Sequence, residues 1–176
     1  FYLLIFTIAS VKKIKNIYPE SKKTYRYAIF ITGEYFTDEL IIESVNSFIK
    51  QDFNKDKFDI IVSTGGLNKD TIEYFQQNNV ICLENDMNEQ GRIEAVSSAI
   101  KKLDQANYDV AVIMTSNNYV ETDFLYQINK AYHSGGMAIQ THRISNITKS
   151  KLGLISSIAE EINNSIFRRG HVNLGF

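Results

Sequence analysis

The stretch VAVIMTSNNYVETDFL, residues 110–125, decides how the rest of the chain is read. Five apolar residues, Val110 to Met114, stop abruptly at Thr115-Ser116-Asn117-Asn118. Phe124, Leu125, Ile128 and Ala131 then recur at helical spacing. A short apolar run bounded by turn formers and followed by a period near 3.6 reads as strand, turn and helix. The same unit occurs three times upstream. Residues 27–31 precede Ile41, Val45, Phe48 and Ile49, and residues 58–62 precede Gly65-Gly66 and a short helix over 69–77. Residues 80–83 precede Ile93, Val96, Ile100 and Leu103.

Four alternations of strand and helix predict an α/β fold with a mostly parallel sheet and right-handed crossovers. Helices on both faces would explain why the strands are apolar runs rather than strict alternations. A fifth strand is expected over residues 137–140. An amphipathic helix is expected over 150–167, where Leu154, Ile155, Ile158, Ile162 and Ile166 form one stripe.

The bulk numbers set limits. The 176 residues suffice for one domain with a sizeable core. Nineteen basic side chains nearly cancel twenty acidic ones, so charge gives no reason to expect nucleic acid as the main partner. The one cysteine, Cys82, precludes an internal disulfide, and its apolar run favours an inert core thiol. The apolar run at residues 1–11 is followed by Lys12, Lys13 and Lys15, then by Lys22, Lys23 and Arg26. An apolar segment with a basic exit suits the cytoplasmic end of a membrane helix. A core helix or strand ending in a basic turn is the alternative. Residues 1–24 are accordingly read as the end of a membrane segment and a linker, with the domain from 25 onward facing the cytoplasm at the inner membrane.

In an open α/β sheet, ligands gather beyond the carboxyl ends of the strands. The junctions there are Thr32-Gly33-Glu34-Tyr35, Ser63-Thr64-Gly65-Gly66, residues 84–92, and residues 115–118. Gly65-Gly66 permits either a plain tight turn or close backbone approach to a ligand. Gly91-Arg92 opens a helix, where free N–H groups and a guanidinium could hold a phosphate, or the arginine could simply face solvent. His133, His142 and His171 show no metal-ligand spacing and read as surface or hydrogen-bonded histidines. Glu160-Glu161 reads as a solvated pair.

Taken in order, these pieces resemble the GT-A-type domain of glycosyltransferase family 2, in its membrane-anchored bacterial form. The run "ELIIESVNSFIKQDFNKDKFDIIV" is similar to the family's first helix, Gln-aromatic turn and second strand. The run "NYDVAVIMTSNNYVETDFLYQINKAYHSGGMAIQTHR" is similar to its central strand, motif loop and following helix, and "AEEINNSIFRRGHVNLGF" to its amphipathic segment. The resemblance implies transfer of a sugar from a nucleotide-diphosphate sugar to a hydroxyl acceptor, with inversion. It also leaves room for a non-catalytic nucleotide-sugar-binding or structural subunit of a membrane complex. It implies nucleotide-sugar contacts at Thr32, Glu34, Ser63, Thr64, Arg92 and Asn118. It puts Thr115 and Asn117 where the family carries the two aspartates of its metal motif. Mg²⁺ or Mn²⁺ is the family's cation, but a hydroxyl and a carboxamide supply oxygens without charge. The family's catalytic base and acceptor motif would lie beyond Phe176, so residues 25–176 are read as a domain incomplete at its C-terminal end.

Overall fold

The computed structural model describes residues 1–11, 18–32, 37–63, 66–83, 97, 100, 101, 103, 108–144 and 150–175. These fall into two compact units, Pro19–Gly136 and a pairing of Phe1–Tyr18 with Met137–Phe176.

The first unit is built on four parallel strands: β1 Tyr27–Thr32, β2 Phe58–Ser63, β3 Ile81–Leu83 and β4 Val110–Thr115. Their order across the sheet is β3-β2-β1-β4. Tyr27 pairs with Phe58 on one side and Val110 on the other, and Thr32 pairs with Ser63 and Thr115. Ser63 is in turn level with Leu83. With every strand parallel and the register flush, all four strand-to-loop junctions leave one edge of the sheet, as the sequence predicts.

Helices α2 Asp38–Ile49, α3 Lys69–Gln77 and α4 Phe124–His133 follow β1, β2 and β4. Asp38 and Glu39 in the first turn of α2 suit the positive end of its dipole. Asn68 caps α3 by accepting from the Thr71 N–H at 2.8 Å. The two faces of the sheet have different covers. On the face of Tyr27, Ile29 and Ile31, the Tyr27 hydroxyl donates to Asn129 of α4 at 3.1 Å, and Phe48 of α2 meets Phe124 edge-on. On the opposite face, Ala28, Phe30 and Ile61 pack with Ile81, Leu83, Leu103 and Tyr108. Every residue of β1 is buried.

Burial on both faces does not extend to β4, where Ala111 is exposed and Ile113 is 52% exposed. Among the described residues β4 is an edge strand, and those packed over Phe30 and Ile61 do not include any of β4. The expected helix containing Ile93 and Val96 lies outside the described residues, although positions 97, 100 and 101 are helical. Cys82 is half-buried in β3, and burial pushes its thiol up.

The expected strand at 137–140 does not form. Gly135 takes a left-handed φ of 99°, and Met137 beyond it is 96% exposed, with no sheet neighbour to pair with among the described residues. The chain instead passes into the second unit.

The second unit is helical. It contains α1 Tyr2–Ser10, α5 Lys151–Ile162, a wide-turn segment Asn163–Arg169, and α6 Gly170–Leu174. Ser150 caps α5 by accepting from the Gly153 N–H at 2.9 Å. The helix predicted to end near residue 167 thus runs to Leu174, ending at Gly175 with φ 85°. Phe6 of α1 stacks on His171 with ring centres 4.1 Å apart. Gly170 is required there, because a Cβ would sit 2.8 Å from the Phe6 carbonyl oxygen. No helix among the described residues is long and apolar enough to cross a membrane.

Candidate functional site

Each junction on the shared edge is set by its strand. Thr32, Ser63 and Thr115 are adjacent across β2-β1-β4, at the roughly 4.8 Å spacing of neighbouring strands. Thr32 is 3% exposed and donates its hydroxyl to the Met114 carbonyl at 3.2 Å. Its own carbonyl accepts from the Ser116 N–H at 2.9 Å, which carries the sheet ladder one residue past β4. Thr32 therefore shapes the floor of the edge and offers its side chain inward. Ser63 is equally buried. Gly66 has φ 80°, a conformation that favours glycine, and a Cβ there would meet nothing within 4 Å. The turn, rather than crowding, accounts for that glycine.

Residues 115–118 form a closed turn, with the Asn118 N–H donating to the Thr115 carbonyl at 3.1 Å. The Asn118 carboxamide also donates to Thr115 Oγ1 and, at 3.2 Å, to Asn117 Oδ1. The side-chain oxygens of Thr115 and Asn117 are thus both engaged by one neutral N–H₂ group. A hard divalent cation takes six or more oxygens and favours carboxylates. Two neutral oxygens, each already accepting a hydrogen bond, do not fit that requirement. Among the described residues no group of three His, Cys, Asp or Glu side chains converges to supplement them.

The turn is held against α2 by a line of polar side chains. Ser44 donates to the Ser116 carbonyl at 2.6 Å, and Ser47 Oγ accepts from the Val120 N–H at 3.3 Å. Gln51, 3% exposed, donates to the Glu121 carbonyl at 2.7 Å and accepts from the Leu125 N–H at 2.9 Å. The Asp52 N–H reaches the Thr122 carbonyl at 2.8 Å. Sequence reasoning missed Ser44 and Ser47. Their i, i+3, i+7 spacing with Gln51 was the available signal, a polar stripe on a helix otherwise marked by apolar periodicity. A shallow cleft of about 320 Å³ lies beside this line, bordered by Glu43, Lys50 and Tyr119.

The structure therefore brings Thr32, Ser63, Thr115, Asn117 and Asn118 to one edge. Glu34, Thr64 and Arg92 lie outside the described residues. The three histidines are hydrogen-bonded, His133 to Tyr25, His142 to Glu161 and His171 to Tyr2. Glu160 and Glu161 are not a plain solvated pair. Glu160 lies 3.6 Å from Arg168, and Glu161 pairs with His142 at 3.0 Å, which holds its carboxyl below the usual range. At the opposite edge, Asp59 accepts from Arg26 at 3.0 Å and from the Tyr108 hydroxyl at 2.7 Å. Burial and that hydrogen bond push Tyr108 up to about 12.

No family model matches the chain, and no curated protein does. Solved structures do share its fold. Mannosyltransferase PcManGT from Pyrobaculum calidifontis, in complex with GDP-Man and Mn²⁺, is 18% identical over 74% of this chain, with a TM-score of 0.55. S. aureus TarS 1–349 is 18% identical over 70% of this chain, with a TM-score of 0.53, and a structure of it in complex with UDP-GlcNAc gives 0.52. The chain spans about two fifths of the length of these proteins. The class defined by this likeness is the GT-A-like α/β fold, a mostly parallel sheet flanked by helices.

Proposed function

We propose that the chain contributes the donor side of a GT-A-type glycosyltransferase and binds a nucleotide-diphosphate sugar over the edge formed by Thr32, Ser63 and residues 115–118. The observation that carries this reading is the flush parallel register. It brings three strand ends level, leaving a platform on which a nucleotide can lie across several junctions. The similar folds in complex with GDP-Man and UDP-GlcNAc support a purine or pyrimidine diphosphate sugar as the ligand class. In the proposed layout Ser63 and Thr64 lie toward the base and Arg92 toward the diphosphate. Glu34 lies in the loop after β1, and Asn118 closes the far side. The reaction is transfer to a hydroxyl acceptor with inversion, in which a base removes the acceptor proton.

Thr115 and Asn117 fit a divalent cation poorly, so no step is assigned to one. That observation also favours a second reading, a subunit that binds the donor without turnover and serves a membrane complex. Residues 1–11 and the lysines after them are proposed as the membrane attachment, with the sheet unit on the cytoplasmic side.

Calorimetric titration of UDP- and GDP-sugars, with and without Mn²⁺, tests the donor reading. Weak binding that is nearly indifferent to Mn²⁺ is expected. Tight binding only with Mn²⁺ would overturn the cation-independent site, and no binding under any condition would overturn the donor reading.

A further inference from the structure

The helical unit is built inside out. Seventeen of the 22 exposed large apolar side chains among the described residues belong to it. On α5, the apolar stripe that should turn inward faces solvent: Leu154 is 50% exposed, Ile155 63%, Ile158 51% and Ile162 46%. The buried positions of the same helical run are Gly153, Asn164 and Gly170. Asn164 is satisfied internally, donating to the Arg143 carbonyl at 2.7 Å and accepting from Arg168 at 2.5 Å.

The neighbouring α1, YLLIFTIAS, carries no charge and is apolar on all sides. Its two aliphatic hydroxyls bond back to its own carbonyls, Thr7 to Leu3 at 2.7 Å and Ser10 to Thr7 at 2.8 Å, and the Tyr2 phenol meets His171 Nε2 at 3.2 Å. In water such an arrangement leaves apolar area exposed, whereas against hydrocarbon its side-chain hydroxyls are already hydrogen-bonded.

Charge separates the units in the same sense. Phe1–Tyr18 with Met137–Phe176 holds eight Lys and Arg against two Glu, a net +6, while Pro19–Gly136 holds eleven against eighteen acids, a net −7. Both acids of the helical unit face a basic side chain, Arg168 or His142. A net basic unit with an outward apolar stripe matches an anionic lipid surface.

We propose that α5 and α6 lie with α1 in the headgroup–acyl boundary of an anionic bilayer, the stripe Leu154, Ile155, Ile158 and Ile162 turned into the acyl layer. For α1 this rests on the membrane attachment proposed above. For α5 it rests on the exposed stripe and on the net positive charge of the helical unit.

The test uses the whole chain with vesicles of phosphatidylcholine, alone or mixed with phosphatidylglycerol. The protein has no tryptophan, so an indole introduced by Ile158→Trp is a clean reporter, with Glu73→Trp on α3 as its control. Flotation with the mixed vesicles is expected, at least tenfold stronger than with phosphatidylcholine alone. The indole at 158 should shift to the blue and be quenched by acyl-brominated lipid, and the one at 73 should not. The pair Ile155→Gln and Ile158→Gln, both on the surface, should weaken flotation at least tenfold with an unchanged circular dichroism spectrum.

Flotation that survives this pair but is lost with Leu4→Gln and Ile8→Gln would overturn the role of α5 and leave the N-terminal attachment standing. Flotation lost with neither pair, or absent with both vesicle types, would overturn both. A dimer in lipid-free buffer, with the indole at 158 already blue-shifted and unaffected by brominated lipid, would assign the stripe to a second copy. Retention on single-stranded RNA with no vesicle binding would assign the charge to nucleic acid. Either result would overturn the proposal.

Discussion

At the scale of single residues, the decisive atom is the carboxamide nitrogen of Asn118, which ties Thr115 Oγ1 and Asn117 Oδ1 into one closed turn. Replacing Thr115 and Asn117 by aspartate would offer two carboxylates within reach of a cation. Mn²⁺ should then increase sugar-nucleotide affinity by an order of magnitude or more in the titration, against little change in the unaltered protein. Without metal, like-charge repulsion between the two carboxylates should lower the melting temperature. A second prediction concerns Tyr108. Its folded pKa, about 12, lies above the ordinary tyrosine value near 10, so the fold favours the neutral phenol. That stabilisation is complete below about pH 10 and is lost as pH rises from there toward 12. Tyr108→Phe should flatten the fall in urea midpoint across that window. The turn at 115–118 was legible as a strand end because five apolar residues stop at four turn formers. That its oxygens would be occupied by Asn118 was not, because side-chain rotamers within a turn leave no periodic trace.

At the scale of elements, α2 is more than a cover for β1. Its apolar residues Ile41, Val45 and Phe48 enter the core, while Ser44, Ser47 and, two residues past its end, Gln51 hold the segment after β4. Gln51→Ala would strand the buried Leu125 N–H and remove the donor of the Glu121 carbonyl, at a cost of about 1–3 kcal/mol. Urea denaturation should show that loss, and amide exchange should rise at Leu125 before the core strands. Sugar-nucleotide binding should weaken with it, since the loop ordered by Gln51 begins at the candidate site. The strands and α2 to α4 were readable from spacing because packing on a sheet imposes a period. The strand expected at 137–140 was misread from apolar content alone: a strand also needs a neighbour, and Met137 has none among the described residues. The stripe on α5 was read correctly as a stripe, but periodicity does not say which side of it meets protein.

At the scale of the molecule, the two units differ in the apolar surface they expose. A chain comprising Pro19–Gly136 alone contains the whole described sheet and its aligned edge, and carries only five of the exposed large apolar side chains. It should stay soluble without detergent, melt cooperatively, and keep the sugar-nucleotide affinity of the full chain within a few fold. Gel filtration and titration check this, and loss of binding in the shorter chain would assign the donor site to the helical unit. Its net charge of −7 should make binding of an anionic donor tighten as salt is raised from low concentration, the reverse of an attractive pairing.

The ends of that same sheet unit are tied together. Glu20, one residue after its start, accepts from the Tyr126 hydroxyl and from Lys130 at 3.4 Å, both on α4, and Tyr25 meets His133 at the end of that helix. The sheet unit therefore enters and leaves through one doorway, as an inserted cassette does. The partners Tyr2 and His171 stand 169 positions apart in the chain. Closing so long an unfolded loop costs about 4.5 kcal/mol in its length-dependent part. A folded cassette has already met that cost, so α1 can find its partner helices as if the intervening residues were a short link. Assembly of the helical unit is therefore expected to follow completion of the sheet, and a lesion in the sheet core should slow it.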